Sequence, residues 1–234
     1  MKMFSSLSGY VLIIVITFSF VGWIKPTENT TVALVMKTIQ TVTKKTAVTD
    51  WTKVAKGDPL ASGDELQTGM KSLAVVKFID NSIVRVREQS QLSVNGEVGG
   101  PRALSKNVHI TKGAFGFDIK KQKQNEEFRF TSPTSVASIR GTLGKDASTA
   151  GFDTVVVVEG LVNLLNTVSN NSVDIPAGYI GFSNPDGTIT FRLATAEELA
   201  DANNLATDRA SNEINIELKD GQGNKKDLKI KFKK

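Results

Sequence analysis

The chain has 234 residues, 40% hydrophobic and 23% charged, with a net charge of +5, which describes a globular body with enough apolar residues for a core and excludes a disordered tail. The absence of cysteine excludes disulfide scaffolds, thiol nucleophiles and Cys-ligated metal centres, and the single histidine, His109, excludes His-pair metal sites, so no metal or cofactor is expected. Seven lysines against Asp220 and Asp227 place +5 on residues 219–234, and Lys2 and Lys25 add +2, which leaves −2 on residues 26–218. A near-neutral body is a poor reader of phosphate backbones, so no nucleic-acid partner is expected, and the basic tail is the one candidate for acidic partners.

Phe4 to Ile24 is a 21-residue stretch without a charge. A membrane-spanning helix needs about 20 apolar residues and a signal-peptide core about 7–15, so residues 1–25 read as a signal peptide or an N-terminal membrane anchor. Phe20-Val21-Gly22-Trp23 offers no small-residue pair for cleavage, and Trp23 and Lys25 suit a membrane interface, both of which favour the anchor. If the segment is uncleaved, the chain meets the membrane through residues 4–24.

Residues 26–40 read as a polar linker and a first strand. Val32, Leu34, Met36, Ile39 and Val42 among Thr and Lys suggest one strand containing an irregularity. Leu73–Ile79 and Ile83–Val86 flank Asp80-Asn81-Ser82 as a hairpin, with Asn81 suited to the left-handed conformation of a tight turn. Further strands are expected at Gln91–Val94, Val108–Thr111, Ala114–Ile119, Glu127–Thr131, Thr154–Val158, Val162–Thr167, Ser172–Ile175 and Thr188–Arg192, with Gly113, Gly160 and Gly178 among the turns between them. Thr195–Ala210 alone reads as helix, with Thr195 as its cap and Glu197 and Glu198 in its first turn. Ile214–Leu218 and Leu228–Phe232 alternate around Asp220-Gly-Gln-Gly-Asn224 as a terminal β-hairpin whose lysines are solvated or guard an edge. The expected fold is all-β, a sandwich or a solenoid-like β roll of many short strands, with one short C-terminal helix and a terminal β-hairpin. The division is residues 1–25, 26–40, a β domain over 41–192, and the helix and basic hairpin over 193–234.

Four local patterns stand out. Trp51 precedes two Gly-Asp turns, Gly57-Asp58-Pro59-Leu60 and Gly63-Asp64-Glu65-Leu66-Gln67-Thr68, with Leu60 and Leu66 aimed at a common interior. The hairpin Phe78-Ile79-Asp80-Asn81-Ser82-Ile83 is second. Phe130-Thr131-Ser132-Pro133 running to Arg140-Gly141-Thr142 is third, and Val156 to Glu159-Gly160 followed by Val173 to Gly178 is fourth. In this order they resemble the periplasmic domain of the ferric-dicitrate regulator (FecR) family, from about Thr41 to Gly187. Asn81 stands where that family usually has Gly, and Gly144 stands near one of its aromatic positions.

The resemblance implies an all-β extracytoplasmic domain, exported to the periplasm or anchored in the inner membrane facing it. In the regulators it relays occupancy of an outer-membrane transporter to a cytoplasmic segment that controls a sigma factor. Few residues precede Phe4, so the expectation is a stand-alone domain without the anti-sigma segment. An envelope protein is the expected partner.

For several side chains two readings stand together. Arg140 either grips a carboxylate in bidentate fashion or pairs internally with Asp64, Asp80 or Glu159. Trp51 is a ligand platform or closes one end of the core. His109 should point away from the face that Val108 and Ile110 share, as a surface or pairing histidine or as a general base, although no nucleophile pattern accompanies it. Asp58, Asp64, Glu65, Asp80 and Glu159 are carboxylates near turns, which glycosidase chemistry would require as a pair at fixed separation. The reading adopted is a non-enzymatic module for protein recognition or signal relay, through turns and strand edges. The alternative is a structural or polysaccharide-binding surface module.

Overall fold

The computed structural model describes residues 30–99, 102–123, 126–207, 213–219 and 225–231. The apolar segment 4–24 lies outside the described residues, as do the tip of the terminal hairpin and residues 208–210 expected to end the helix. Among the described residues, no helix is long and apolar enough to cross a membrane.

Val, Ile, Thr and Phe crowd the chain, and such residues favour extended backbone. Among the described residues seventeen strands form one hydrogen-bonded sheet, which folds over into two facing halves. The front half runs β4 (Pro59–Ala61), β1 (Thr31–Ile39), β6 (Leu73–Phe78), β7 (Ile83–Val86), the second part of β9 (Arg102–Asp118), β12 (Leu143–Thr149), β13 (Phe152–Glu159), β16 (Tyr179–Ser183) and β17 (Ile189–Leu193). The back half runs β3 (Thr52–Lys53), β2 (Val42–Lys45), β5 (Glu65–Thr68), β8 (Gln91–Gly99), the first part of β9, β10 (Glu127–Thr131), β11 (Ser135–Ile139), β14 (Leu161–Asn166) and β15 (Ser172–Pro176). From β6 onward the chain lays down adjacent strands in one half and then crosses to the other, so the molecule is an all-β roll.

β9 joins the halves. It is one strand where two were expected, and Gly113 (φ 101°) bends it instead of ending it. A Cβ at Gly113 would lie 2.1 Å from Ser90 Oγ, so the bend needs glycine. The single strand expected over Val32–Val42 is in turn two. The chain leaves the front half at Gln40 (φ 57°) and starts β2 in the back half, while Leu34 and Met36 face solvent and Ala33 and Val35 enter the core.

Aromatic rings tie the halves together. Phe78 of the front meets Phe128 of the back edge-on at 5.0 Å, and Phe115 and Phe117 meet Phe130 at 4.6 and 4.8 Å. Gly144, where the resemblance has an aromatic, lies in β12, and the Phe117 ring fills the space a side chain there would need.

α1 (Ala196–Thr207) crosses the outer surface of the front half. Thr195 Oγ1 accepts the Glu198 N–H at 3.2 Å and Glu198 Oε2 accepts the Thr195 N–H at 2.8 Å, a reciprocal cap that sets the helix start. Its inner face packs Leu199 and Ala202 on Val156, Ile180 and Phe182. Near its C-terminus the Arg85 guanidinium donates to Ala206 O, and bare Gly116 lets the helix backbone come close. β18 (Glu213–Lys219) and β19 (Lys225–Lys231) form the terminal hairpin, pairing Ile214 with Ile230 and Ile216 with Leu228.

Candidate functional site

The motif residues divide between turns and core. Asp58 Oδ2 accepts the Ala55 N–H at 2.9 Å and Asp64 Oδ2 accepts the Ala61 N–H at 2.8 Å, so both Gly-Asp pairs close the same kind of four-residue turn. Gly57 and Gly63 hold left-handed φ of 95° and 90°, and Leu60 and Leu66 are fully buried in one core. The Thr68 hydroxyl donates to Arg87 O and accepts the Ser90 N–H at 3.0 Å, which pins β5 to the β7–β8 turn. Asn81 takes φ 68° in the β6–β7 turn. Pro133 is exposed in the β10–β11 turn, Glu159 is exposed at the end of β13, and Trp51 is half-buried beside β3.

Asp80 does more than turn the chain. Its Oδ2 lies 2.8 Å from the ammonium of Lys106, whose side chain is fully buried, and accepts Gln122 Nε2 at 3.0 Å, while Oδ1 accepts the Ser82 N–H. Burial pushes the Asp80 carboxyl up, but Lys106, Gln122 and Ser82 together hold it below the usual carboxylate range. Above it lies a groove of about 420 Å³ lined by Ile79, Asn81, Lys120, Lys121, Lys123 and Glu126.

Arg140 is exposed, and its expected internal pairing is absent: among the described residues none of Asp64, Asp80 and Glu159 is its partner, and Asp80 is engaged by Lys106 instead. Its neighbours form the crossover from back to front. Gly141 (φ 76°) passes over Lys121, Thr142 exchanges main-chain hydrogen bonds with Ile119, and the Thr142 hydroxyl donates to Leu161 O at 3.0 Å. Gly160 (φ 89°) begins the return crossover directly against Gly141, and Gly178 (φ 86°) donates its N–H to Val157 O. His109 lies on the outer face of the back half with Nδ1 3.0 Å from Thr131 Oγ1, pointing away from buried Val108 and Ile110.

Two features had no signature in the motifs. Between α1 and the front half lies a cleft of about 550 Å³ with an apolar floor of Val156, Ile180 and Phe182. Its charged wall is Asp201 of α1, held by Lys145 and Arg87 at 2.6 Å each. Partial burial pushes the Asp201 carboxyl up, but Lys145 and Arg87 outweigh it and hold it low.

The other is the edge of the front half. Among the described residues β17 pairs with β16 alone. Asn184 N–H bonds to Thr188 O and Ala194 N–H to Gly178 O, so by antiparallel alternation Thr190 and Arg192 turn their main-chain groups to β16 while Ile189, Phe191 and Leu193 turn theirs to the free edge. Phe191 lies opposite Gly181, whose missing side chain leaves room for Ile175 and Leu164 of the back half, so Phe191 shares the roll's inner face. Phe191 and Leu193 are nonetheless 46% and 67% exposed, because among the described residues no further strand pairs beyond β17. Arg192, the charge that would guard such an edge, binds Glu198 at 2.8 Å over the Phe182 ring, and its Nη1 also donates to Leu193 O at 3.0 Å, so it covers that one edge carbonyl and leaves the rest of the edge open.

Residues 64–163 match the FecR protein family. Two crystal structures of a protein from Parabacteroides distasonis ATCC 8503, provisionally named an anti-sigma factor and solved at 1.65 and 2.50 Å, share the fold, each with a TM-score of 0.50 and 13% identity. The similarity covers 58% of this chain and 62% of that one, so the match spans less than two thirds of the solved protein. No curated protein matches the chain.

Proposed function

We propose that this FecR-like chain is an extracytoplasmic module that recognises a protein partner at the cell envelope and relays a signal through that contact, with residues 4–24 as export signal or anchor. The observation that carries the reading is the β17 edge, where the outward main-chain groups of Ile189 and Phe191 and the N–H of Leu193 adjoin the exposed side chains of Phe191 and Leu193. An extended segment of a partner adds there as a further strand, its main chain giving affinity and its alternate side chains meeting the inner apolar face. The match to the FecR family over residues 64–163 supports a regulatory role, and in this reading the chain performs no chemistry of its own.

The test places a photo-crosslinking residue at Phe191, at Leu193 and, as control, at Val48, which is 85% exposed away from the edge. In the native host, positions 191 and 193 should capture the same discrete envelope protein and position 48 should not. Capture of wall polymer alone, or equal capture from all three positions, would sink the relay.

A second reading, a structural module that binds wall polysaccharide, draws on the outer face of the back half. Asn95, Ser105, Asn107, Arg129 and Thr131 line a shallow groove of about 380 Å³ there. Co-sedimentation with isolated wall polymer that is lost in Asn107→Ala and Arg129→Ala would favour it.

A further inference from the structure

At the end of the roll away from Asp80, polar side chains replace apolar ones inside. Asp146 and Ser148 of β12 and Asp153 of β13 are only 5%, 1% and 1% exposed. The register sets Ser148 opposite Asp153, and Asp153 opposite Ser183 of β16, all buried. The β10–β11 turn faces them from the back half. Ser132 Oγ donates to Asp153 Oδ2, Thr134 Oγ1 lies 2.7 Å from both Asp153 Oδ2 and Gly151 O with one proton to share between them, and Asn166 Nδ2 donates to Ser183 Oγ at 2.8 Å. Two buried oxygens meet no partner, Asp153 Oδ1 and Ser148 Oγ.

Among the described residues no cation enters this space. β9 presents Phe115 opposite Asp146, β13 presents Val155 and Asp153, β16 presents Ser183, and the turn presents hydroxyls. Lys145 projects from the other face of β12, where with Arg87 it holds Asp201 of α1. Two buried carboxylates without a counter-charge cannot both stay ionised, and the smallest neutralising group is a proton. Asp153 has the Ser132 hydroxyl and a share of the Thr134 proton to support an anion, whereas Asp146 has only the Ala147 N–H. We infer that Asp146 is protonated at neutral pH and donates its proton to the free Oδ1 of Asp153, so that the pair is one buried acid site built into β12 and β13.

This assignment gives the partnerless Oδ1 its donor. Burial, and then the neighbouring Asp153 charge, push the Asp146 carboxyl well above the usual range, in the same direction. Above the ordinary Asp value of 3.8 the folded state then holds a proton that the unfolded chain has released. Stability therefore falls as pH rises from there through the folded value, the reverse of an ion-paired carboxylate. The strand that feels this ionisation carries Lys145 on its outer face, so a rise in pH loosens the same strand that clasps α1.

The test is thermal unfolding of the full chain from about pH 5 to about pH 9, for wild type and Asp146→Asn, together with carboxyl-carbon NMR of Asp146 in the wild type. The wild-type midpoint should fall with rising pH, Asp146→Asn should be the more stable at the alkaline end with a flatter profile, and the Asp146 carbon should keep its protonated shift at neutral pH. An Asp146 carbon already at the carboxylate position in mildly acid solution overturns the inference, as does a variant with the wild-type slope. Should the variant fail to fold, the wild-type NMR titration decides alone.

Discussion

The main-chain carbonyl of Gly141 stands where a side chain on Gly160 would have to go: a Cβ there would sit 2.7 Å from that oxygen and 2.9 Å from Thr142 Oγ1. The two glycines belong to opposite crossovers, one carrying the chain from back to front and the other returning it. Gly160→Ala should cost about 2–4 kcal/mol, combining a left-handed φ with a main-chain clash. Gly57→Ala, left-handed but with open space around it, should cost less. Denaturant midpoints of the two variants measure the difference.

Lys106 and Asp80 form an ion pair that the roll has taken out of water. Removing only the acid, as in Asp80→Ala, strands a buried ammonium and should cost about 3–5 kcal/mol. Adding Lys106→Met to that variant should restore much of the loss, since no charge is then left unpaired. Chemical unfolding of the two single variants and the double variant checks both.

The clasp between Arg192 and Glu198 sets an acid limit on the helix start. The Arg192 guanidinium and then the Thr195 N–H lower the Glu198 carboxyl from 4.5 to about 2. Its contribution is complete above pH 4.5 and disappears as pH falls through about 2, because a depressed folded value means the unfolded chain takes up the proton first. The Thr195 amide shift followed by NMR should titrate at the lower value.

Asp201 joins α1 to the front half at two places, Lys145 on β12 and Arg87 just beyond β7. These groups are partly solvated, so Asp201→Ala should cost only about 1 kcal/mol globally. Its larger effect should be local, as faster amide exchange in α1 while β12 and β13 stay protected.

Local signals were legible where a few neighbouring residues carry the turn or cap by themselves. The Asp80-Asn81 hairpin, the Gly-Asp turns and the Thr195 cap each rest on residues a few positions apart. β12 escaped because its inward residues are Gly144, Asp146 and Ser148, so the apolar alternation that marks a strand is missing where the interior is polar. β11 and β16 escaped beside it, and Gly113 was read as a turn because a bend within a strand uses the same residue. The exposure of Arg140 and the pairing of Asp80 with Lys106 depend on which strands become neighbours, as does the position of β17 at an edge. The strand around Phe191 could be read from its own residues, but that no described strand pairs beyond it depends on the whole roll.

Hydrogen exchange at β17 tests the recognition account most directly, comparing the purified chain with the chain incubated with native envelope. Thr190 and Arg192, bonded to β16, should be protected in both. Phe191 and Leu193 should exchange freely in the purified chain and become protected with the envelope, as a partner strand takes up their N–H groups. Exchange at Phe191 and Leu193 that stays fast in the presence of the envelope, while the crosslinked partner is bound, would contradict strand addition at this edge.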